Sequence, residues 1–185
     1  MIRCALAVAC AVFATQQGPQ DAELLKALAA SKHTLREGIQ QVTKASETAI
    51  SAKFELDDGK LSLSVYTAQK GLGVDADHNV LQEYGGSPES AAWKPEVEVF
   101  KDVEHTARAA QQLTLMALSA TSLIDVLAKV EKNQTGTIYS ITPVLRQRKA
   151  ECVVLVADKG QSRELVYDLL SGEPVKAREA DAPKK

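Results

Sequence analysis

An α+β fold of two tandem repeats, each a helix packed on a small antiparallel β-sheet with an additional helix preceding it, is predicted by three observations. The chain matches itself at two nearly equal offsets. Thr34-Leu35-Arg36-Glu37 pairs with Ser122-Leu123-Ile124-Asp125 at a shift of 88, and Ala68-Gln69-Lys70-Gly71 pairs with Ala157-Asp158-Lys159-Gly160 at a shift of 89. Matches that keep one order mark an internal repeat. Each copy also opens with a hydroxyl residue followed three positions later by an acid, the pattern of a capping box. Leu35, Ile39 and Val42, and in the second copy Leu123, Leu127 and Val130, then fall on one side of a helix. Alternating apolar runs follow, and Asp57-Asp58-Gly59 supplies a tight hairpin turn between the first two.

Met1 to Ala14 reads as a secretory signal peptide. Arg3 precedes an uninterrupted apolar stretch from Cys4 to Ala14, and polar Thr15, Gln16 and Gln17 follow at once. Val12 and Ala14 are small enough for a signal peptidase groove, so cleavage is expected after Ala14. Small residues precede Cys10, but Ala7 stands where a lipoprotein signal carries a leucine-like residue, which argues against acylation there. Residues 15–84 are the first unit, with a preceding helix over 21–31, the capped helix over 35–46 and strands over 49–57, 60–68 and 80–84. Residues 85–95, from Gly85-Gly86-Ser87-Pro88 to Pro95, are a linker. Residues 96–175 are the second unit, with a long helix over 96–119, the capped helix over 122–132 and strands over 137–146, 149–157 and 163–169. Residues 176–185, charged and rich in Ala and Pro, are expected to be a flexible tail.

Composition narrows the function. With 22 Lys+Arg against 24 Asp+Glu there is no basic footprint for nucleic acid. Aromatics at 4% are too scarce for a base-stacking platform. No apolar run reaches the roughly 18 residues that span a bilayer, so no integral membrane segment is expected once the signal is gone. Export places the chain in the periplasm or outside the cell. Cys4 and Cys10 leave with the signal, so Cys152 is a single thiol and folding rests on the core rather than on a disulfide.

The second unit runs Ala150-Glu151-Cys152-Val153-Val154-Leu155-Val156-Ala157-Asp158-Lys159-Gly160, and later Glu164-Leu165-Val166-Tyr167-Asp168-Leu169-Leu170-Ser171-Gly172-Glu173-Pro174-Val175. A strand, a D-x-G turn at Asp158 and Gly160, a second strand and a closing turn at Asp168 and Gly172 resemble the PepSY domain family. Tyr167, between Val166 and Asp168, departs from its pattern. Val74-Asp75-Ala76-Asp77-His78-Asn79-Val80-Leu81 looks like a degenerate first copy, with Asp75 and Asn79 at the signature positions and Asn79 in place of glycine. The likeness covers 34–84 and 122–175, and its motifs specify turns rather than chemistry. It implies an exported α+β module. Its occurrence in propeptides of thermolysin-type secreted metallopeptidases, and the suggested role of the family in restraining proteases, imply a protein partner. It transfers no catalytic residue.

The remaining candidates for chemistry read as structural. His33, His78 and His105 lie in no metal-ligand spacing, so no metal or cofactor is expected. Asp75, Asp77 and Asn79 have the spacing of a calcium loop, but Val80 stands where its glycine is required and Gly86 where its bidentate Glu would be. Cys152 alternates with Ala150, Val154 and Val156 and is expected to fill core volume. No G-x-S-x-G elbow, dinucleotide fingerprint or P-loop is present, and no catalytic residue is assigned.

An asymmetry between the two sheets points to a surface. If Leu61, Leu63 and Val65 face the helix, the other face of the first sheet carries Ser51, Lys53, Glu55, Ser62, Ser64 and Tyr66, and can meet water. The matching positions of the second sheet are Tyr139, Ile141, Val153 and Leu155, a candidate interaction face that monomers seldom leave bare. Its cover is either a partner or, within the chain, the linker with Trp93, the long helix or the first unit. The expected function is that of a non-enzymatic exported protein that binds another protein, with protease restraint as its sharpest form. The alternatives are an enzyme or ligand carrier with a pocket between the units, and a structural envelope component.

Overall fold

A computed structural model describes residues 13–14, 19–43 and 46–175. In chain order these form β1 (Phe13–Ala14), α1 (Pro19–Ala27) with a 3-10 turn (Leu28–Ala30), α2 (Leu35–Val42), β2 (Thr48–Asp57), β3 (Lys60–Ala68), β4 (Leu81–Gly86) and β5 (Glu96–Val99). Then follow α3 (Val103–Ala117), α4 (Leu123–Asn133), β6 (Thr137–Arg146), β7 (Lys149–Asp158) and β8 (Gln161–Asp168). The class is α+β. The signal-peptide expectation covers 1–14, of which 1–12 lie outside the described residues, as does the tail over 176–185; Phe13 and Ala14 pair with Glu164 and Arg163 at the edge of β8.

The repeat takes the form helix–strand–strand–strand, as α2-β2-β3-β4 and α4-β6-β7-β8, with α1 and α3 preceding. Both helices start where the hydroxyl–acid spacing places them. The Glu37 amide donates to Thr34 Oγ1 at 3.2 Å, and the Thr34 amide donates to Glu37 Oε2 at 2.7 Å. Ser122 and Asp125 reproduce the exchange at 3.2 Å in both directions. Each box satisfies amides that a helix start leaves open. Thr34→Ala or Ser122→Ala should each cost about 1 kcal/mol, read as a lowered urea midpoint at unchanged slope.

The units do not keep separate sheets. Strand order is β1-β8-β7-β6-β2-β3-β4-β5, with antiparallel pairing throughout. The join is β2 against β6, with Ala52 opposite Ile141 and Lys53 opposite Ser140. Both joining strands carry a bulge at the same point of the repeat, at Ile50 between Ala49 and Ser51 and at Tyr139 between Ile138 and Ser140. An extra residue in one strand re-aims the side chains that follow. Past these bulges Ala52 and Phe54, with Ile141, Cys152, Val154 and Leu165, turn to the face covered by α2 and α4. There they join the buried stripes Leu35-Ile39-Val42 and Leu123-Leu127-Val130 in one contiguous core. Neither unit alone offers much core, and a shared sheet lets both bury apolar surface together. Arg36 Nε on α2 donates to Glu131 Oε2 on α4 at 3.0 Å, across the two units.

Two expected elements differ. The long helix over 96–119 is a strand and a shorter helix. Glu96-Val97-Glu98-Val99 alternates with period two and pairs with β4, while Asp102 accepts the His105 amide at 2.9 Å and so sets the start of α3. The linker is docked rather than free. Trp93 is buried and donates from Nε1 to the Gly86 carbonyl at 3.1 Å, and Gln41 on α2 holds its own carbonyl at 2.8 Å.

Candidate functional site

The units meet beneath α3, and a cleft lies there. Ser51, Lys53 and Glu55 on β2 sit opposite Tyr66, Ser64 and Ser62 on β3, so all six share one sheet face, as the alternation predicts. That face does not meet water as expected, because α3 lies over it. Ser51 and Ser64 are buried, and Ser51 Oγ donates to Gln112 Oε1 of α3 at 2.9 Å. Ser64 Oγ donates to Glu55 Oε1 at 2.7 Å, and the other Glu55 oxygen pairs with Lys53. A polar sheet face is thus covered because each hydroxyl that loses water gains a partner.

The cleft has a volume of about 150 Å³. Lys53 and Tyr66 of the first unit, Thr142 of the second, and His105, Arg108 and Gln112 of α3 line it, together with Phe100. Tyr66, Phe100 and His105 form a stack, with centroids 5.8 Å and 5.5 Å apart, and Lys53 Nζ lies 5.6 Å from the Tyr66 centroid. Burial pushes the Tyr66 phenol up first, and the nearby Glu83 and Glu55 carboxylates add to it, so the hydroxyl stays protonated. Lys53 and Arg108 line the cleft while their partners Glu55 and Glu104 do not, and His105 pairs with Asp102, so each basic group already has a carboxylate. A small anion with a flat apolar part would have to take the place of one of these carboxylates. The arrangement does not resemble an activated nucleophile, since the Ser51 proton is given to an amide oxygen, which is no base.

The candidate interaction face is corrected by the register. Ile141 lies directly opposite Val154 and is fully buried on the helix-covered face, because the Tyr139 bulge shifts the phase of β6. Tyr139, Val153 and Leu155 do share the other face, but not as a bare patch. Tyr139 and Val153 are each 7% exposed, and the Tyr139 hydroxyl is 2.6 Å from Ser162 Oγ. Val166, opposite Val153, is buried too, and Arg146 pairs with Glu164, which lies opposite Leu155 on the same face. Leu155 is half-buried against the core.

The turn residues divide in two. Asp158 is followed by Lys159 and Gly160, both left-handed, which form the two-residue turn from β7 to β8. Asp168 Oδ1 accepts the Ser171 amide at 2.8 Å and its carbonyl accepts the Gly172 amide at 2.7 Å. Asp75 Oδ1 accepts the His78 amide at 3.1 Å, and the Asn79 side chain bridges Lys70, Gly71 and Val74. Asp75 and Asn79, however, precede the third strand of their unit, whereas Asp168 ends the third strand of the other unit and Gly172 follows it. The expected equivalence of the two pairs is therefore not kept; one local device, a carboxylate closing a turn, occurs at two different places.

His33 Nε2 donates to the Ser90 carbonyl at 2.9 Å, and His78 and His105 pair with Asp75 and Asp102. Among the described residues no group of three potential ligands converges. Cys152 is fully buried, and burial pushes its thiol up to about 12. The neutral thiol is favoured in the folded state, so this contribution to stability is complete below pH about 9 and declines from there toward 12. Between pH 8 and pH 10 the wild type should lose about 1 kcal/mol more than Cys152→Ala in urea unfolding, and the native thiol should resist alkylation.

Sequence reasoning missed Phe100, Arg108, Gln112 and Thr142. The available signal was Gln112 within the otherwise apolar stripe Ala109, Leu113 and Met116, a polar residue on a buried face that calls for a polar partner.

No protein-family model and no curated protein matches the chain. Among solved structures, a chain described as a lipoprotein candidate, CD1622 from Clostridium difficile 630, is similar at 13% identity and a TM-score of 0.36, over 71% of this chain and 81% of that one. Among the described residues no helix is long and apolar enough to cross a membrane.

Proposed function

We propose that this chain is an exported, non-enzymatic protein that binds another protein, with restraint of a secreted or envelope protease as the specific form of that activity. Export is supported by the Arg3-to-Ala14 pattern, and protease restraint by the resemblance of the second unit to PepSY domains. The observation that carries protein binding is the terminal strand β5, whose four residues are all exposed and whose outer side has no strand partner among the described residues. Such an edge takes up an extended segment of another chain through backbone hydrogen bonds. The test is capture of envelope and secreted proteins on the immobilised chain, followed by a binding isotherm and a protease assay with each purified candidate. A saturable complex is expected, and inhibition if that candidate is a protease. No saturable partner overturns the reading.

The aromatic cleft beneath α3 favours a second reading, a carrier of a small carboxylate that takes the place of Glu55 on Lys53. Titration with benzoate should then shift the His105 and Thr142 resonances, with benzamide silent and Lys53→Met at least tenfold weaker. Equal shifts with both ligands would exclude it.

A further inference from the structure

We propose that the outer edge of β5 is a docking site for an extended segment in which basic and apolar residues alternate; the proposal rests on the protein-binding reading and names the chemistry of the partner. Three features of the strand lead there.

The first is which backbone groups are free. The Phe100 amide donates to the Leu81 carbonyl, so Phe100 is a hydrogen-bonded position of the β4–β5 ladder. In an antiparallel pair such positions alternate, which turns Glu98 and Glu96 inward and leaves the N–H and C=O groups of Val97 and Val99 pointing outward. The edge therefore offers two donors and two acceptors, on residues 53% and 43% exposed.

The second is the alternation of side chains. Val97 and Val99 lie opposite Tyr84 and Gln82, while Glu96 and Glu98 lie opposite Gly85 and Glu83 on the other face. An added strand meets the valines on one face and the carboxylates of Glu96 and Glu98 on the other, with Glu83 behind them one strand further in. Lys94 and Lys101 flank the strand at its two ends, beyond those carboxylates.

The third is what the edge excludes. Two copies pairing β5 with β5 about a twofold axis normal to the sheet must match face to face. Of the registers that align the valines, Val97 with Val99 sets Glu98 against Glu98 of the second copy, Val97 with Val97 sets Glu96 against Glu98, and Val99 with Val99 sets Glu98 against Phe100. Like charges directly opposite destabilise a pair, and Glu98 already lies opposite Glu83, so two of the three registers add to an existing repulsion. The same carboxylates attract a strand with Lys or Arg at every second position, which gains charge complementarity on one face and apolar contact on the other.

The experiment uses the full chain, 15N-labelled, with capped hexapeptides Lys-Val-Lys-Val-Lys-Val, Ser-Val-Ser-Val-Ser-Val and Glu-Val-Glu-Val-Glu-Val. The basic peptide should shift the amides of Glu96 to Val99 saturably and bind at least tenfold more tightly than the serine peptide, with the acidic peptide silent. Val97→Pro removes one outward donor and no ladder bond, since an edge strand accepts proline where its N–H faces outward. It should weaken binding at least tenfold while leaving the thermal midpoint within a few degrees. Glu96→Lys/Glu98→Lys, a surface change, should exchange the preference for the acidic peptide. Absence of shifts, shifts elsewhere, equal binding by Val97→Pro, or no exchange of preference overturns the docking site. If wild type and Val97→Pro capture the same protein equally, the docking site falls and protein binding stands; if neither captures any, protein binding falls.

Discussion

Replacing Gly136 with alanine should cost this protein about 3–4 kcal/mol, from two sources that add. Gly136 has φ +108, in the region where an L residue is strained by about 1–3 kcal/mol. A Cβ there would also sit inside contact distance of the Ala157 carbonyl oxygen and 3.1 Å from its carbonyl carbon. The obstacle is backbone, so no rotamer change relieves it. Thr137, the next residue, pairs with Ala157, and a shift of this strand start disturbs the β6–β7 ladder where the second unit begins. A thermal midpoint lower by about 10 °C is expected in calorimetry. A drop of less than about 3 °C would mean that the strand end gives way freely.

Ile141→Ala should cost a similar amount, about 3–4 kcal/mol. Ile141 is fully buried, opposite Ala52 on β2 and Val154 on β7, at the seam where the two units become one sheet. Truncation removes buried methyl groups and leaves a cavity between strands that two helices hold in place. On an outward, solvated position the same change stays within about 0.5 kcal/mol. Urea unfolding of the variant therefore decides between the two facings of β6. Val144→Ala, a half-buried position past the seam, serves as the comparison with a smaller expected loss.

The facing of Ile141 shows why part of the fold was legible and part was not. Helix starts were readable because a capping box is local: Thr34 with Glu37, and Ser122 with Asp125, need only three residues of spacing. Strands β2, β3, β6 and β7 were readable from alternation, and the β2–β3 turn from Asp58 and Gly59, which accept positive φ; the β6–β7 turn is made by Gln147 and Arg148, which carry no such signal. A bulge is not readable in this way. The extra residue at Tyr139 carries no composition signal, yet it moves Ile141 from one face to the other. The alternation of Glu96-Val97-Glu98-Val99 marks a strand, but it spans only four residues before the Asp102 cap, too few to stand apart from the helix that follows.

The cleft was less legible than the fold. Lys53 and Tyr66 belonged to a face that alternation correctly grouped, and nothing local to them says that a helix some fifty residues away covers it. Ser51 needs Gln112 as a partner, and that pairing exists only once α3 has docked.

By itself, the sequence determined the two repeats, their capped helices, the hairpins and the burial of Cys152, because each depends on neighbours within a few residues or on a periodicity of one element. Only the tertiary structure decided that the two sheets join through β2 and β6, that a polar face is roofed by α3, and that β5 is left at the edge. These are contacts between residues distant in the chain, and they are settled by which faces can bury apolar surface and pair every polar group at the same time.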